Sequence, residues 1–406
     1  MLSTLPNIPT QRLAVHVKSA AEKMLHKGHP WVFESSIIKI NKEGKAGDIA
    51  IIFDKRRNKF LALGLYDPYS PIRIKVLQIH KPATINETWF KEKINTAFAK
   101  RRPLLTTDTN SYRLIHGEND GLPSFIADVY ANVLVVKLYA LIWLPYLKEI
   151  LPILKEISQC STIILRLSRN VQQHSDQLYG LNDGQILEGS LDQPTVIFKE
   201  HGLRFSANVI DGHKTGYFLD HRHNRKQIGD YAKGKKVLDV FAYAGGFSVH
   251  ALAGGATEVW SLDISAQALK MAQQNALLNL KKTPLKTISK DAFKALQEMN
   301  EQGEQFDIVV VDPPSFAKQA SEMDRALHSY ARLTRLAAPL VSKGGLLVMA
   351  SCSSRISSDD FFDTVHVELR KTGRFFKEID RTFHDIDHPI SFPEGAYLKC
   401  GYFRKK

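Results

Sequence analysis

The sequence predicts an α/β protein. A parallel sheet covered by helices forms the carboxy-terminal half, behind a small β-barrel-like module and a small α+β module. Two observations carry this. From about residue 191 strand-like and helix-like segments alternate, the grammar of a parallel sheet with crossover helices on both faces. Before about residue 80, short apolar runs are punctuated by Gly, Asp and Asn turns with charges interleaved, the pattern of a small barrel. At 406 residues the chain is long enough to bury more than one core.

In residues 1–82, "DIAIIFD", "FLALGLYD" and "IRIKVLQI" read as strands. "KGHPWVFESSI" at 27–37 lies among them, and Pro30 forces extended or turn backbone at His29 beside the large ring of Trp31. In residues 83–190, "WFKEKINTAFAKRRPL" is helical by period, with Trp89, Phe90, Ile94, Ala97 and Phe98 on one stripe. Then come strands in "YRLIHGENDGLPSFIADVYANVLVVKLY", turned by Asp120-Gly121 and Ala131-Asn132. A helix in "LPYLKEILPILKEIS" and a strand in "TIILRLS" follow. In residues 191–406, "KKVLDVFA", "EVWSLDIS", "KTISKDA", "FDIVVVDPP" and "GGLLVMASCS" are the strands, and "GFSVHALAGGA", "QALKMAQQNALLN" and "SYARLTRLAAPLV" the helices between them. No low-complexity linker and no internal repeat divides the chain.

Composition narrows the function. No apolar run is long enough to span a bilayer, and the opening "MLSTLPNIPTQRLAV" does not read as a signal peptide. Three cysteines, Cys160, Cys352 and Cys400, are far apart, which suits a reduced, cytoplasmic protein without a disulfide framework. Among fifteen histidines no H-E-x-x-H occurs, and the pair His221 and His223 is a weak metal candidate, so no metal site is assigned. The net charge of +13 gathers in "DKRRNK" at 54–59, "KRR" at 100–102, "HRHNRK" at 221–226 and "KGKK" at 233–236. Singly, such clusters are solvated surface. Together they favour a polyanionic partner, most simply nucleic acid.

The predicted parallel strands end on acidic residues. Asp239 closes the first and leads into a loop with Gly245-Gly246, where glycine lets the backbone approach a ligand and a helix start offers free N–H groups. The loop is not G-x-G-x-x-G, which argues against a dinucleotide pyrophosphate. Asp263 ends the second strand, a position that commonly takes ribose hydroxyls. Asp291 follows the third, where a helix N-cap is the plain alternative, and Asp312 the fourth. In an open α/β sheet ligands bind outside these strand ends. The pattern resembles class I S-adenosylmethionine-dependent methyltransferases. That resemblance implies that Asp239 with its loop, Phe241, Tyr243, Gly245 and Gly246, faces the methionine part of the cofactor, Asp263 the ribose, and Asp291 with Ala292 the adenine, with Ile264 also at the cofactor. It also implies that Asp312 lies beside the methyl donor.

Asp312-Pro313-Pro314 fixes a stiff turn that aims Asp312 and backbone carbonyls at a planar target, with Phe316 offering an aromatic face for a base. The next strand, "GGLLVMA", ends at Cys352 in "SCSS". Adjacent parallel strands end on one edge, so Cys352 is expected to share the crevice of Asp312. Carbon 5 of a pyrimidine is a poor nucleophile, and a thiolate adding to carbon 6 activates it. Asp312 would hold the amine and ring nitrogen of cytosine. The alternative is that Cys352 is a small core residue, the usual fate of cysteine. Cys400 and Cys160 read as core residues.

Most of the chain resembles the bacterial 23S ribosomal RNA cytosine-5 methyltransferases that join a PUA domain, a central α+β domain and a Rossmann-like class I methyltransferase domain. The resemblance rests on "KGHPWVFESSI", "YRLIHGENDGLPSFIADVY", "DGHKTGYFLDHRHNR", "VLDVFAYAGGFSVHALAGGA", "VVDPPSFAK", "SCSS" and "DHPISFPEGAYLK", in that order. It implies S-adenosylmethionine as cofactor, a loop or unpaired cytosine of 23S rRNA as substrate, Cys352 as nucleophile, and Lys214 to Tyr217 with Arg222 lining the cofactor or RNA entrance. Ser315 stands where broader RNA cytosine-5 enzymes carry a second cysteine, which implies a one-cysteine mechanism. Related enzymes with the same Asp-Pro-Pro loop methylate guanine nitrogen and need no thiol. A non-catalytic RNA-binding or assembly factor is the reading from another class. A homodimer is compatible with the sequence, although no surface patch singles one out.

Overall fold

The structure, a computed structural model, describes residues 5–54 and 58–406; Lys55, Arg56 and Arg57 of the basic run at 54–59 lie outside them. The chain divides into two compact units. The first comprises residues up to 199 with 207–219 and 386–393, and the second 200–206, 220–385 and 394–406. No helix among the described residues is long and apolar enough to cross a membrane.

The first unit opens with β1 (Arg12–Val17), α1 (Ser19–His26), β2 (Trp31–Phe33), β3 (Ile37–Ile40), β4 (Ile49–Phe53), β5 (Phe60–Tyr66) and β6 (Ile72–Ile79). They form one sheet in the order β2-β6-β5-β4-β1-β3. Its edge strands β2 and β3 are joined by residues 34–36 alone. Four residue steps reach at most about 14 Å, whereas edges of a flat six-stranded sheet stand about 24 Å apart. The short connection therefore curls the sheet toward a barrel. Apolar alternation supplies its interior: Leu13, Val15, Val17, Ala50, Ile52 and Ile74 are buried.

Next come α2 (Glu87–Leu105), β7 (Ser111–His116), β8 (Phe125–Tyr130), β9 (Val133–Leu138), α3 (Leu147–Ser158), β10 (Thr162–Leu167), α4 (Arg169–Gln172) and β11 (Gln185–Glu188). The sheet order is β11-β10-β9-β8-β7, parallel only between β9 and β10. Asn86 caps α2 by accepting from the Trp89 amide at 3.1 Å. The stripe from Trp89 to Ala97 faces a core that also takes Leu63, Leu65 and Leu77 from the curled sheet, so the two modules share one interior. Buried charges lock it. Arg101 grips Asp120 through two bonds, 3.0 and 2.5 Å, and Arg113 grips Asp128. The late segment 386–393 is tied in here as well: Asp387 accepts from the Arg113 amide at 2.9 Å, and its carbonyl accepts from Arg101. A hairpin of β12 (Thr195–Glu200) and β13 (Leu203–Asn208) follows.

The second unit contains α5 (Arg222–Tyr231), β14 (Lys236–Val240), α6 (Gly246–Ala253), β15 (Glu258–Asp263), α7 (Ala266–Leu277), β16 (Leu285–Ser289) and α8 (Ala292–Glu301). It continues with β17 (Phe306–Val311), α9 (Met323–Ala337), β18 (Val341–Ser351), α10 (Ser358–Lys371), β19 (Phe376–Thr382) and β20 (Lys399–Lys405). The seven strands run β16-β15-β14-β17-β18-β20-β19, parallel through β18 and antiparallel beyond it. Helices α5, α6 and α7 pack together, as do α8, α9 and α10, giving a layer on each face. Strand order reverses between β14 and β17, the place where an α/β sheet opens a ligand crevice.

Candidate active site

On one side of the crevice, β14 carries Asp239, 1% exposed. Its Oδ2 accepts from Ser248 N and Ser248 Oγ at 3.0 and 2.6 Å, while Oδ1 is buried with no hydrogen-bond partner among the described residues. Burial lifts this carboxyl to about 7 despite the serine bonds. The following loop is strained: Phe241 (φ 68°) and Tyr243 (φ 48°) adopt left-handed backbone, as does Gly245 (φ 76°). Gly245 has a second constraint, because a Cβ there would stand 2.7 Å from the Ala272 Cβ. Asp263, at the tip of β15, holds the loop by accepting from Tyr243 N at 2.9 Å, and turns its other oxygen to Ser265 N. Ile264 beside it is 74% exposed, an apolar side chain held out at the sheet edge. Asp291 is the N-cap of α8, accepting from Lys294 N at 3.0 Å, with Ala292 buried behind it.

On the other side, Asp312 directly follows β17, and its Oδ1 lies 3.3 Å from His221 Nε2. Burial opposes protonation of His221, but Asp312 outweighs it and raises the imidazole above its ordinary value. Val311 is paired with Met349 in the parallel register of β17 and β18, so both chains leave the sheet at one edge. Cys352 Sγ stands 3.6 Å from the carbonyl oxygen of Pro313. A hydroxyl cluster fixes the two loops together. Ser353 Oγ accepts from Phe316 N at 3.2 Å and lies 3.1 Å from both Ser315 Oγ and Tyr330 OH. Ser351 Oγ donates to Tyr330 OH at 2.9 Å. Lys399 of β20, opposite Ser351, donates to the carbonyls of Ser353 and Ile356 at 2.7 and 2.6 Å.

Residues 113–393 match the family described as S-adenosylmethionine-dependent methyltransferase. The chain belongs to that family. Residues 15–78 match a PUA-like domain. A protein of Deinococcus radiodurans named ribosomal RNA large subunit methyltransferase is 41% identical over 98% of this chain and 99% of its own length. One of Alteromonas mediterranea named ribosomal RNA large subunit methyltransferase I is 34% identical over 95% of this chain and 97% of its own. In fold, the chain is similar to a SAM-dependent methyltransferase structure from Streptococcus mutans, with a TM-score of 0.80, 20% identity and coverage of 96% and 99%. A methyltransferase structure complexed with SAH gives 0.82 at 20% identity, covering 97% of this chain and 100% of that one.

The crevice of this methyltransferase fits its cofactor. The partnerless Asp239 Oδ1 suits an ammonium, the ribose hydroxyls suit Asp263 at the second tip, and exposed Ile264 suits a planar ring.

Some predicted residues lie elsewhere than expected. Arg222, expected at an entrance, is completely buried; it donates to Asp385 Oδ2 at 3.0 Å and keeps no face for RNA. Lys214 is exposed in the first unit, on the segment that Thr215 fastens to Asp128. Pro313 is buried and Pro314 exposed, while the Phe316 ring packs edge-on against Tyr330 at 5.2 Å. His221 and His223 approach different carboxylates, Asp312 and Asp385, instead of converging. Two basic clusters are partly internal: Arg101 bonds Asp120, and Arg225 bonds Glu200. His221 and Lys399 were missed as members of the site. The signal for Lys399 was a lone charge in the apolar run "AYLKCGYF".

Proposed function

We propose that this methyltransferase forms 5-methylcytosine in large-subunit (23S) ribosomal RNA through a covalent adduct of Cys352. The observation that carries the reading is the thiol 3.6 Å from the Pro313 carbonyl, at the loop that presents Asp312. Cys352, as thiolate, forms the S–C6 bond, and the electrons of the 5,6 double bond pass toward the ring nitrogen and exocyclic amine held by Asp312. S-adenosylmethionine supplies the methyl group for carbon 5. Transfer of the carbon-5 proton to solvent water then restores the double bond and breaks the S–C6 bond, freeing Cys352 as a thiolate. His221 keeps Asp312 oriented, and the Ser353 cluster keeps the two loops in register.

The names of the relatives support ribosomal RNA as substrate, and the +13 charge supports a polyanion. The N-terminal module, residues 1–82, is read as supplying phosphate contacts, the central module as spanning 83–190, and the catalytic domain as spanning 191–406. A base inside a duplex must be flipped out, which favours a loop or unpaired cytosine. The reaction is read as cytoplasmic, and its chemistry calls on no metal. Guanine-nitrogen methylation would leave Cys352 without a task.

Wild type and Cys352→Ala, incubated with unmodified large-subunit rRNA and methyl-labelled S-adenosylmethionine and digested to nucleosides, decide the matter. Label is expected in 5-methylcytidine and lost in the variant. Label in a methylated guanosine, retained in the variant, would make Cys352 a packing residue.

A further inference from the structure

Six lysines and arginines are buried among the described residues: Lys75, Arg101, Arg166, Arg222, Arg225 and Lys399. The first five have carboxylate partners, Asp67, Asp120, Asp183, Asp385 and Glu200 respectively. Lys399, 2% exposed, has none within ion-pair distance among the described residues. Its ammonium meets two neutral carbonyls, Ser353 O and Ile356 O. A buried cation without a counter-charge is costly, and a site that keeps one implies a negative charge nearby.

We propose that Lys399 is the counter-charge that holds Cys352 as a thiolate, a positioning residue for the nucleophile. The inference rests on the reading of Cys352 as that nucleophile. Lys399 is the cross-strand partner of Ser351, the residue before Cys352, and its Nζ binds the turn that runs from Cys352 to Ile356. Burial pulls Lys399 down to about 8, and Cys352 is the neighbour that pushes it back up. Asp312, Tyr330 and His221 do not supply this charge. Asp312, from the loop after β17, is an acidic group and cannot be a cation. Tyr330, from α9, is pushed up to about 12 by burial and stays a neutral donor. His221 engages Asp312. When the thiol ionises, its proton leaves to solvent and Lys399 keeps its own, so no bond to Lys399 is made or broken.

The test uses the full chain without RNA. Iodoacetamide alkylation of Cys352, read by mass spectrometry of its peptide, is followed against pH for wild type, Lys399→Gln and Lys399→Arg. Both variants keep a donor for the Ser353 and Ile356 carbonyls, and only arginine keeps the charge. Wild type and Lys399→Arg are expected to titrate below the ordinary thiol value of about 8.5. Lys399→Gln is expected to titrate at least about one unit higher, so that its alkylation at pH 7 is about tenfold slower. A wild-type midpoint at or above that ordinary value, or an unchanged midpoint in Lys399→Gln, overturns the proposal. Should Lys399→Gln fail to bind SAH, the wild-type and Lys399→Arg midpoints alone decide it, low supporting and ordinary overturning. Methyl transfer by Cys352→Ala judges the nucleophile itself, so the two readings fail separately.

Discussion

Buried charge is handled differently in the two units. In the first, Asp120 accepts from Arg101 and Asp128 from Arg113, and Asp67 meets Lys75 at 2.6 Å. Each is closed by a cation, and the pairs pin helices, strands and the late segment 386–393 to a shared core. At the strand tips of the second unit, among the described residues, Asp239 keeps an oxygen without a partner and Lys399 keeps an ammonium without a carboxylate. The second unit also pairs charges where it needs rigidity: Glu200, fully buried, is drawn well below the carboxylate range by Arg225 and His250 although burial pushes it up. Paired charge marks architecture here, and charge left open at a sheet edge marks a place made for something else.

The comparison breaks most readily at Asp120. Asp120→Ala strands the fully buried Arg101, and loss of one partner of such a pair costs about 3–5 kcal/mol. Urea unfolding followed by circular dichroism checks this, and a loss under about 1 kcal/mol would dissolve the distinction. Asp312 lies at the other extreme, with a side chain 24% exposed and the ionisable His221 as its partner. Asp312→Asn is expected to lower labelled methyl transfer by about 10²–10³-fold while shifting the unfolding midpoint much less than Asp120→Ala does. The smallest effect is expected at Asp239. Its carboxyl, raised to about 7 by burial, is mostly protonated at pH 6 and mostly ionised at pH 8, so an ammonium-bearing ligand gains its counter-charge as pH rises. Calorimetric affinity for SAH should therefore increase about tenfold between those values in wild type. It should stay weak and flat in Asp239→Asn; equal pH dependence in both proteins would remove Asp239 from the cofactor site.

The sheet was legible because its strands are buried runs ending on polar residues, and a parallel neighbour shares an edge whatever the loops do. That rule alone placed Asp239, Asp263, Asp312 and Cys352 at the edge they occupy. It was silent on partners distant in sequence. Nothing local to "HRHNRK" distinguishes His221, which meets Asp312, from Arg222, which is spent on Asp385, because burial there depends on how α5 packs. Lys399 was hidden for a similar reason. Strand β20 is antiparallel and pairs with β18 from the far end of the chain, so the register that brings Lys399 opposite Ser351 has no trace in spacing. Asp291 shows the opposite case: its N-cap role was visible as an alternative and is observed.

The position of β20 between β18 and β19 has a consequence for synthesis. Both of its neighbours are translated before it, so the sheet stays open in the middle until residues 399–405 have cleared the exit tunnel. Until then the turn after Cys352 lacks the side chain that binds two of its carbonyls, so this loop takes its final form only when the last strand of the sheet is in place.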